Sequence, residues 1–118
     1  MILVVERTRR NLELLVHCLS EHGYQTLTGA NLEEFDQILA APKEIALALV
    51  DIGGFDRRIW QRCELLLEKQ VPFFVLAHQT SAAIQYADIA HGARGVLIKP
   101  LTMQVLLGSV RSLLTESL

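Results

Sequence analysis

Short runs of apolar residues alternate along the chain with longer segments in which apolar residues recur at helical spacing. The apolar runs cover residues 2–5, 24–28, 46–50, 73–76 and 95–98. Runs of this length are typical of strands, and the segments between them are long enough for helices. The pattern predicts a (βα)5 alternation, five strands each followed by a helix, in one α/β domain spanning residues 1–118.

Each predicted helix has an apolar face, and residues typical of helix ends separate the elements. The faces are formed by Leu12, Leu15, Val16 and Leu19; Leu32, Phe35, Ile38 and Leu39; Ile59, Cys63, Leu66 and Leu67; Ala83, Ile84, Ala87 and Ala90; and Val105, Leu106, Val110, Leu113 and Leu114. The candidate N-caps are Thr8, Asn31, Asp56 and Thr102, and the candidate breakers are Gly23, Pro42, Pro72 and Gly92. The nearly continuous first, third and fourth apolar runs favour a parallel sheet with helices on both faces.

Composition and charge narrow the possible functions. The 118 residues are 51% hydrophobic and carry a formal net charge of −2, with scattered basic residues, which argues against nucleic-acid binding by this domain. No apolar run approaches the roughly 18 to 20 residues that span a bilayer, and the N-terminus does not resemble a signal peptide. We therefore expect a cytoplasmic domain that does not bind membranes. Cys18 and Cys63 fall in helical patterns, which favours buried thiols.

Charged side chains follow three of the predicted strands. Parallel α/β sheets bind ligands beyond the carboxyl ends of their strands. The residues there are Glu6 and Arg7 after the first strand, Gly29 after the second, Asp51 after the third, Ala77 and His78 at the fourth, and Lys99 after the fifth. Because acids held close together normally require a cation, convergence of Glu6 and Asp51 indicates a functional pocket. Each charge taken alone is also consistent with a solvated strand end, and His78 with an ordinary loop residue.

The sequence resembles a known family over most of its length. The segments that carry the resemblance are ILVVERTRRNLELLVHCLSEHGYQ, ALALVDIGG, VPFFVLA and HGARGVLIKPLTMQVLLGSVRSLL. They are similar to the receiver domain of response regulators, the phosphoacceptor module of two-component signalling, over residues 2–115. The most specific feature is Asp51 paired with Lys99-Pro100 at the family's spacing. The resemblance implies a flavodoxin-like parallel sheet of order 2-1-3-4-5 and a cis bond before Pro100.

The resemblance also implies roles for individual residues. Asp51 matches the aspartate that accepts a phosphoryl group, and Lys99 matches the lysine that contacts the phosphoryl oxygens. Glu6, Asp51 and Gly53 match the positions that hold Mg²⁺ in the family. A carboxylate nucleophile must approach an anionic donor, so metal and lysine neutralise the charge. The domain is expected to be no enzyme, with Mg²⁺ as the one cofactor that its phosphoacceptor form would need.

Several positions depart from the family pattern. Arg7 stands where a second acid is expected, and Ala77 replaces the Ser or Thr after the fourth strand. Val96 replaces the aromatic switch residue of the fifth strand, and Phe55 replaces a proline common after the acceptor. Together these losses predict a degenerate, pseudo-receiver-like pocket. The Gly53-Gly54 pair makes the loop after Asp51 pliable.

Arg7 is the most consequential of these departures. A guanidinium cannot ligate a metal, and it would repel a nearby divalent ion by roughly 4 kcal/mol per unit charge at about 4 Å and an effective dielectric of 20. We therefore predict that Arg7 and Lys99 neutralise Glu6 and Asp51 in a metal-free pocket, with Arg7 substituting for the cation. The alternative is an Arg7 side chain directed into solvent, which would leave the pocket only weakened.

Three functions remain open. The favoured one is a receiver domain that signals through protein contacts, with weak or no phosphorylation of Asp51. The alternatives are a Mg²⁺-dependent phosphoacceptor phosphorylated by a histidine kinase, and a flavodoxin-like ligand binder or enzyme. The expected partner is a histidine kinase or another signalling protein. We also predict a homodimer through the fourth helix, fifth strand and fifth helix, with Val96, Leu101 and Leu107 in an apolar patch. Since no output domain follows the fifth helix, we favour a fragment of a longer protein over a stand-alone regulator.

Overall fold

A parallel sheet organises the part of the chain that the computed structural model describes, residues 1–41, 44–78 and 92–116. The elements are β1 (Ile2–Val5), α1 (Arg9–Glu21), β2 (Thr26–Gly29), α2 (Leu32–Ala40), β3 (Leu47–Asp51), α3 (Arg58–Glu68), β4 (Phe73–His78), β5 (Gly95–Lys99) and α4 (Met103–Glu116). Helix α4 is the predicted fifth helix, while the predicted fourth helix and Pro42 lie outside the described residues. Within the described ranges, no helix has the length and apolar character needed to cross a membrane.

The sheet has the strand order β2-β1-β3-β4-β5, and all four pairings are parallel. This order and the cis peptide bond between Lys99 and Pro100 confirm what the resemblance implies. Because β1 and β3 are adjacent, Val5 is paired with Val50, and the residues that follow them leave the sheet side by side. At the other side, His78 of β4 is paired with Lys99 of β5. The sheet therefore gathers the charged strand ends along one edge.

Two apolar layers cover the sheet, one on each face. Alternate residues of β1 and β3, such as Leu3 and Val50, pack with α2 and α3, while Ile2 and Leu49 pack with α1 and α4. Burial on both faces explains why these strands are continuous apolar runs in the sequence. The thiols of Cys63 and Cys18 are free and buried in the first and second layer respectively, as predicted.

The helix faces differ from the prediction at three leucine and valine positions. Leu67 at the end of α3 is 53% exposed and Val105 in the first turn of α4 is 50% exposed, although both were expected in the core. Leu107, expected in a surface patch, is buried beside α1 and the sheet. Successive helical residues point about 100° apart, so a small difference in helix orientation exchanges neighbouring buried and exposed positions. Leu107 therefore does not belong to the predicted apolar surface patch.

The predicted N-caps differ in the hydrogen bonds that they make. Asn31 Oδ1 accepts from the Glu34 amide at 2.8 Å, and Thr102 Oγ1 accepts from the Val105 amide at 3.2 Å. Thr8 occupies the N-cap position of α1 without a side-chain capping bond. Helix α3 begins at Arg58, and Asp56 Oδ1 accepts from the Arg58 amide at 2.9 Å from just outside the N-cap position.

We expect Asn31→Ala to lower the free energy of unfolding by about 1 kcal/mol, because the Glu34 amide loses its acceptor. Thr8→Ala is the matched control, since Thr8 holds the same helix position but makes no capping bond. Urea denaturation of both variants measures the difference. An equal loss of stability in the two variants would contradict the assigned role of the Asn31 side chain.

Candidate functional site

Three charged side chains meet where β1, β3 and β5 end. Glu6 follows β1, Asp51 is the last residue of β3 and Lys99 is the last residue of β5. The Lys99 ammonium contacts Asp51 Oδ2 directly and lies 3.6 Å from Glu6 Oε2. Glu6 and Asp51 are only 2% and 1% exposed, and they are the buried charged residues of the described core. A single lysine thus serves two buried carboxyl groups.

Backbone amides hold the outer oxygen of each carboxyl group. Glu6 Oε1 accepts from the Thr8 amide at 3.0 Å, and Asp51 Oδ1 accepts from the Gly53 amide at 2.9 Å. The other two oxygens, Glu6 Oε2 and Asp51 Oδ2, are buried without a hydrogen bond of good geometry. Lys99 is the cation within ion-pair distance of both. The unsatisfied electronegative atoms of the site are therefore directed at one ammonium.

The shared lysine does not fully compensate the burial of Glu6. Burial, together with the adjacent Asp51, raises the pKa of the Glu6 carboxyl to about 7. The Thr8 amide and Lys99 act in the opposite direction by stabilising the ionised form. A proton held by Glu6 supplies a donor between two carboxyl groups that would otherwise repel each other.

The Arg7 side chain points away from the two buried carboxyl groups, although Arg7 directly follows Glu6 in the sequence. Its side chain is exposed, and its guanidinium Nη1 donates a hydrogen bond to the Gly54 carbonyl. Among the described residues it forms no ion pair with Glu6 or Asp51, so the prediction that Arg7 contacts and neutralises both carboxylates is wrong. A guanidinium is costly to bury, and the Gly54 carbonyl offers an acceptor at the surface. The Arg7 side chain also does not extend freely into solvent, since it packs against the loop that follows β3.

A cavity of about 470 Å³ adjoins Asp51. It is lined by Glu6, Arg7, Thr8, Asn11, Asp51, Gly53, Gly54, His78 and Lys99. Arg7 therefore stands at the rim of the cavity without touching either carboxylate. Two features of the site were not predicted from the sequence: Asn11 in the first turn of α1, and the contact of Gly54 with Arg7. The glycine pair itself was the signal for the latter, because Gly54 has a φ of +81°.

Two other predicted site residues lie away from this cavity. Ala77 is buried in the layer packed with α2 and α3, and it is absent from the residues that line the cavity in the described part of the chain. Successive residues of a strand point to opposite faces, which places Ala77 in the core and His78 at the rim. Val96 is half-buried on β5 and paired with Val75. The expectation that Ala77 lines the pocket is thus corrected.

The donor atoms test whether the site suits the Mg²⁺ that the fold family implies. Carboxylate oxygens are suitable ligands for Mg²⁺, and the two unsatisfied oxygens fit a cation by type. However, Glu6 and Asp51 carry two negative charges at most, and Lys99 and Arg7 carry two positive charges. In the described ranges no group of three or more His, Cys, Asp or Glu side chains could hold a metal ion. The residues present therefore do not fit a tightly held divalent ion.

Solved structures resemble the chain over nearly its whole length. The receiver domain of a signal transduction histidine kinase from Syntrophus aciditrophicus is 26% identical, with a TM-score of 0.84, over 98% of this chain and 89% of that chain. A CheY-like response regulator receiver domain protein from Methanospirillum hungatei JF-1 is 22% identical, with a TM-score of 0.87, over 98% and 93%. No family model and no curated protein matches the sequence.

A third similar structure belongs to a longer protein. NtrX from Brucella abortus, solved in complex with ADP, is 19% identical to this chain with a TM-score of 0.85. The match covers 98% of this chain but only 26% of the NtrX chain. The two receiver-domain structures define the class: the chain has the fold of a response regulator receiver domain, as the sequence resemblance predicts.

The raised pKa of Glu6 predicts how stability depends on pH. Between about 4.5 and 7, the folded state retains a proton that the unfolded state has lost, so the free energy of unfolding falls as pH rises through this window. We expect Glu6→Gln to reduce this fall by up to about 3 kcal/mol, because glutamine does not titrate. Urea unfolding of the wild-type protein and Glu6→Gln at several pH values within this window measures how the free energy of unfolding changes with pH. Parallel pH profiles for the two proteins would contradict the assigned ionisation of Glu6.

Proposed function

We propose that the chain is a receiver domain in two-component signal transduction that acts through protein contacts, with weak or no phosphorylation of Asp51. The observation that carries the proposal is the position of the Lys99 ammonium, which contacts Asp51 and lies within ion-pair distance of Glu6. Lys99 compensates the charge of Asp51, and Arg7 adds a second positive charge at the cavity rim, so the site carries no net negative charge without a metal ion. A divalent ion would therefore enter a site with no excess negative charge.

Charge balance matters because phosphoryl transfer depends on it. The transferred group carries negative charge on its oxygens, and a carboxylate nucleophile approaches it only when cations neutralise that charge. Lys99 is engaged by two carboxyl groups and is therefore not free to contact a phosphoryl oxygen. Val96 offers no aromatic ring that could rotate between two positions. Each of these features weakens a different part of a phosphorylation-driven switch.

The proposed partner is a histidine kinase or another signalling protein. The described surface near β5 supports a protein contact, since Val96 and Leu101 are half-buried and Met103 and Val105 of α4 are exposed. A homodimer through the predicted fourth helix, β5 and α4 belongs to the same proposal. We further propose that the domain is cytoplasmic, catalyses no reaction of its own, and binds neither nucleic acid nor membrane.

A second candidate is a Mg²⁺-dependent receiver that a histidine kinase phosphorylates on Asp51. The observation that favours it is the pair of buried oxygens, Glu6 Oε2 and Asp51 Oδ2, that lack a hydrogen bond of good geometry. In this function Lys99 would leave Glu6 and contact the phosphoryl oxygens. Mg²⁺ would be its cofactor, whereas the first candidate needs none.

Magnesium affinity separates the two candidates. We expect weak Mg²⁺ binding by the wild-type protein and a gain of about tenfold or more in Arg7→Asp, because the substitution exchanges a positive rim charge for a carboxylate. Arg10→Asp is the matched control, since it makes the same change of net charge at an exposed position outside the cavity lining. Calorimetric titration measures both. Equal affinities in Arg7→Asp and Arg10→Asp would contradict the role of Arg7.

Phosphorylation is tested with acetyl phosphate and Mg²⁺, followed by intact mass. We expect no stable mass increase of one phosphoryl group in the wild-type protein. A stable, Mg²⁺-dependent increase that Asp51→Asn abolishes would overturn the proposal and establish the second candidate. Beryllofluoride provides an independent check, with the amide NMR signal of Gly53 as the reporter, because this amide donates to Asp51.

A further inference from the structure

Arg7 and Gly54 fit each other closely at the loop between β3 and α3, residues 52–57. The guanidinium donates to the Gly54 carbonyl, and the Arg7 side chain lies over the Gly54 Cα. A Cβ added to Gly54 would lie 3.0 Å from Arg7 Cδ, 3.6 Å from Nη1 and 3.8 Å from Nε. Arg7 therefore occupies the space that a side chain at position 54 would fill.

Comparison with Gly23 shows that a left-handed backbone does not by itself create such a contact. Both glycines have a left-handed backbone, with φ of +85° at Gly23 and +81° at Gly54. A Cβ on Gly23 would meet nothing within 4 Å, whereas one on Gly54 would meet Arg7. Backbone conformation explains both glycines, but only Gly54 also accommodates a neighbouring side chain.

The Arg7 side chain also separates two cavities. The first is the cavity of about 470 Å³ around Asp51, and the second measures about 450 Å³ beside the start of α2. Arg7 and Gly54 line both, and the second is also lined by Asn31, Phe55 and Arg58. The contact between Arg7 and Gly54 thus forms a wall between the acceptor cavity and its neighbour.

Two successive residues of the loop, Gly53 and Gly54, are bound by side chains at the ends of two different strands. Asp51 of β3 accepts from the Gly53 amide at 2.9 Å, and Arg7, which follows β1, binds the carbonyl of Gly54. The Phe55 amide completes the turn by donating to Ile52 O at 3.2 Å. Two of these bonds link the loop to the ends of β1 and β3, and the third lies within the loop.

We propose that Arg7 is a positioning residue, a strap that fixes the loop between β3 and α3 against the acceptor cavity without a metal ion. This inference deepens the proposed function and rests on it in one respect: the fixed loop, rather than a phosphoryl group, determines the surface offered to a partner. Loss of the strap joins the two cavities and removes a positive charge from the rim of the cavity that Glu6 and Asp51 line.

Hydrogen exchange of the loop amides tests the strap directly. We expect Arg7→Ala to accelerate exchange of the amides of residues 53–55 by about tenfold, the effect of losing one charge-assisted hydrogen bond. Gly54→Ala retains the charge of Arg7 but crowds its side chain. It should accelerate loop exchange by about threefold in the wild-type background and by less in the Arg7→Ala background. Equal effects of Gly54→Ala in the two backgrounds would overturn the strap.

Gly23→Ala is the matched control for placing alanine at a left-handed position. It should leave exchange in residues 53–55 unchanged, because nothing near Gly23 resembles the Arg7 contact. Equal acceleration of this loop by Gly23→Ala and Gly54→Ala would indicate general loss of stability and would overturn the inference. If Gly54→Ala does not fold, Arg7→Ala alone decides, since unchanged exchange in that variant overturns the strap.

A response to Mg²⁺ provides a readout that a purely structural side chain would not affect. Magnesium chloride should leave loop exchange unchanged in the wild-type protein and slow it in Arg7→Ala, where the ion can enter the opened site. Equal slowing in both proteins would overturn the inference. Phosphorylation of the wild-type protein would overturn the proposed function while leaving the exchange result for Arg7→Ala intact, so the two failures are distinguishable.

Discussion

The site depends on one interaction, the contact of the Lys99 ammonium with two carboxyl groups buried at the end of the sheet. The strand order makes this interaction necessary, since β1 and β3 are adjacent and deliver Glu6 and Asp51 to the same place. Two ionised carboxylates cannot share a buried site without a cation or a proton. The structure supplies both, because Lys99 provides the cation and the raised pKa of Glu6 allows it to hold a proton near neutral pH.

The fold was largely predictable from the apolar pattern. Residues such as Leu3 and Val50 lie in strands covered on both faces, and this burial leaves an uninterrupted apolar run in the sequence. The strand order, in contrast, came from resemblance, because alternating strands and helices permit several parallel orders. Leu67 and Leu107 were misplaced because helical periodicity identifies a face only to within about one residue, and packing against the sheet decides which neighbour is buried.

The candidate site was predictable at the level of the backbone but not of every side chain. The rule that ligands bind beyond the strand ends located Glu6, Asp51 and Lys99, and the structure brings these three together. It could not give the direction of Arg7, because a long side chain chooses among several acceptors by rotamer, and the decisive acceptor is a backbone carbonyl. The position of a backbone carbonyl cannot be predicted from residue types. In this loop, however, Gly54 indicates an unusual backbone conformation.

The central claim is that the Lys99 ammonium and a proton on Glu6, rather than a divalent ion, compensate the two buried carboxyl groups. Manganese binds the same oxygen ligands as magnesium and has an anomalous X-ray signal. The most direct measurement is therefore a crystal structure of the unmodified protein grown with Mn²⁺ and recorded at the manganese edge. The account predicts no anomalous peak beside Asp51, with Lys99 between the two carboxyl groups and Arg7 on the Gly54 carbonyl. A well-occupied manganese ion bound by Glu6 and Asp51 would contradict it.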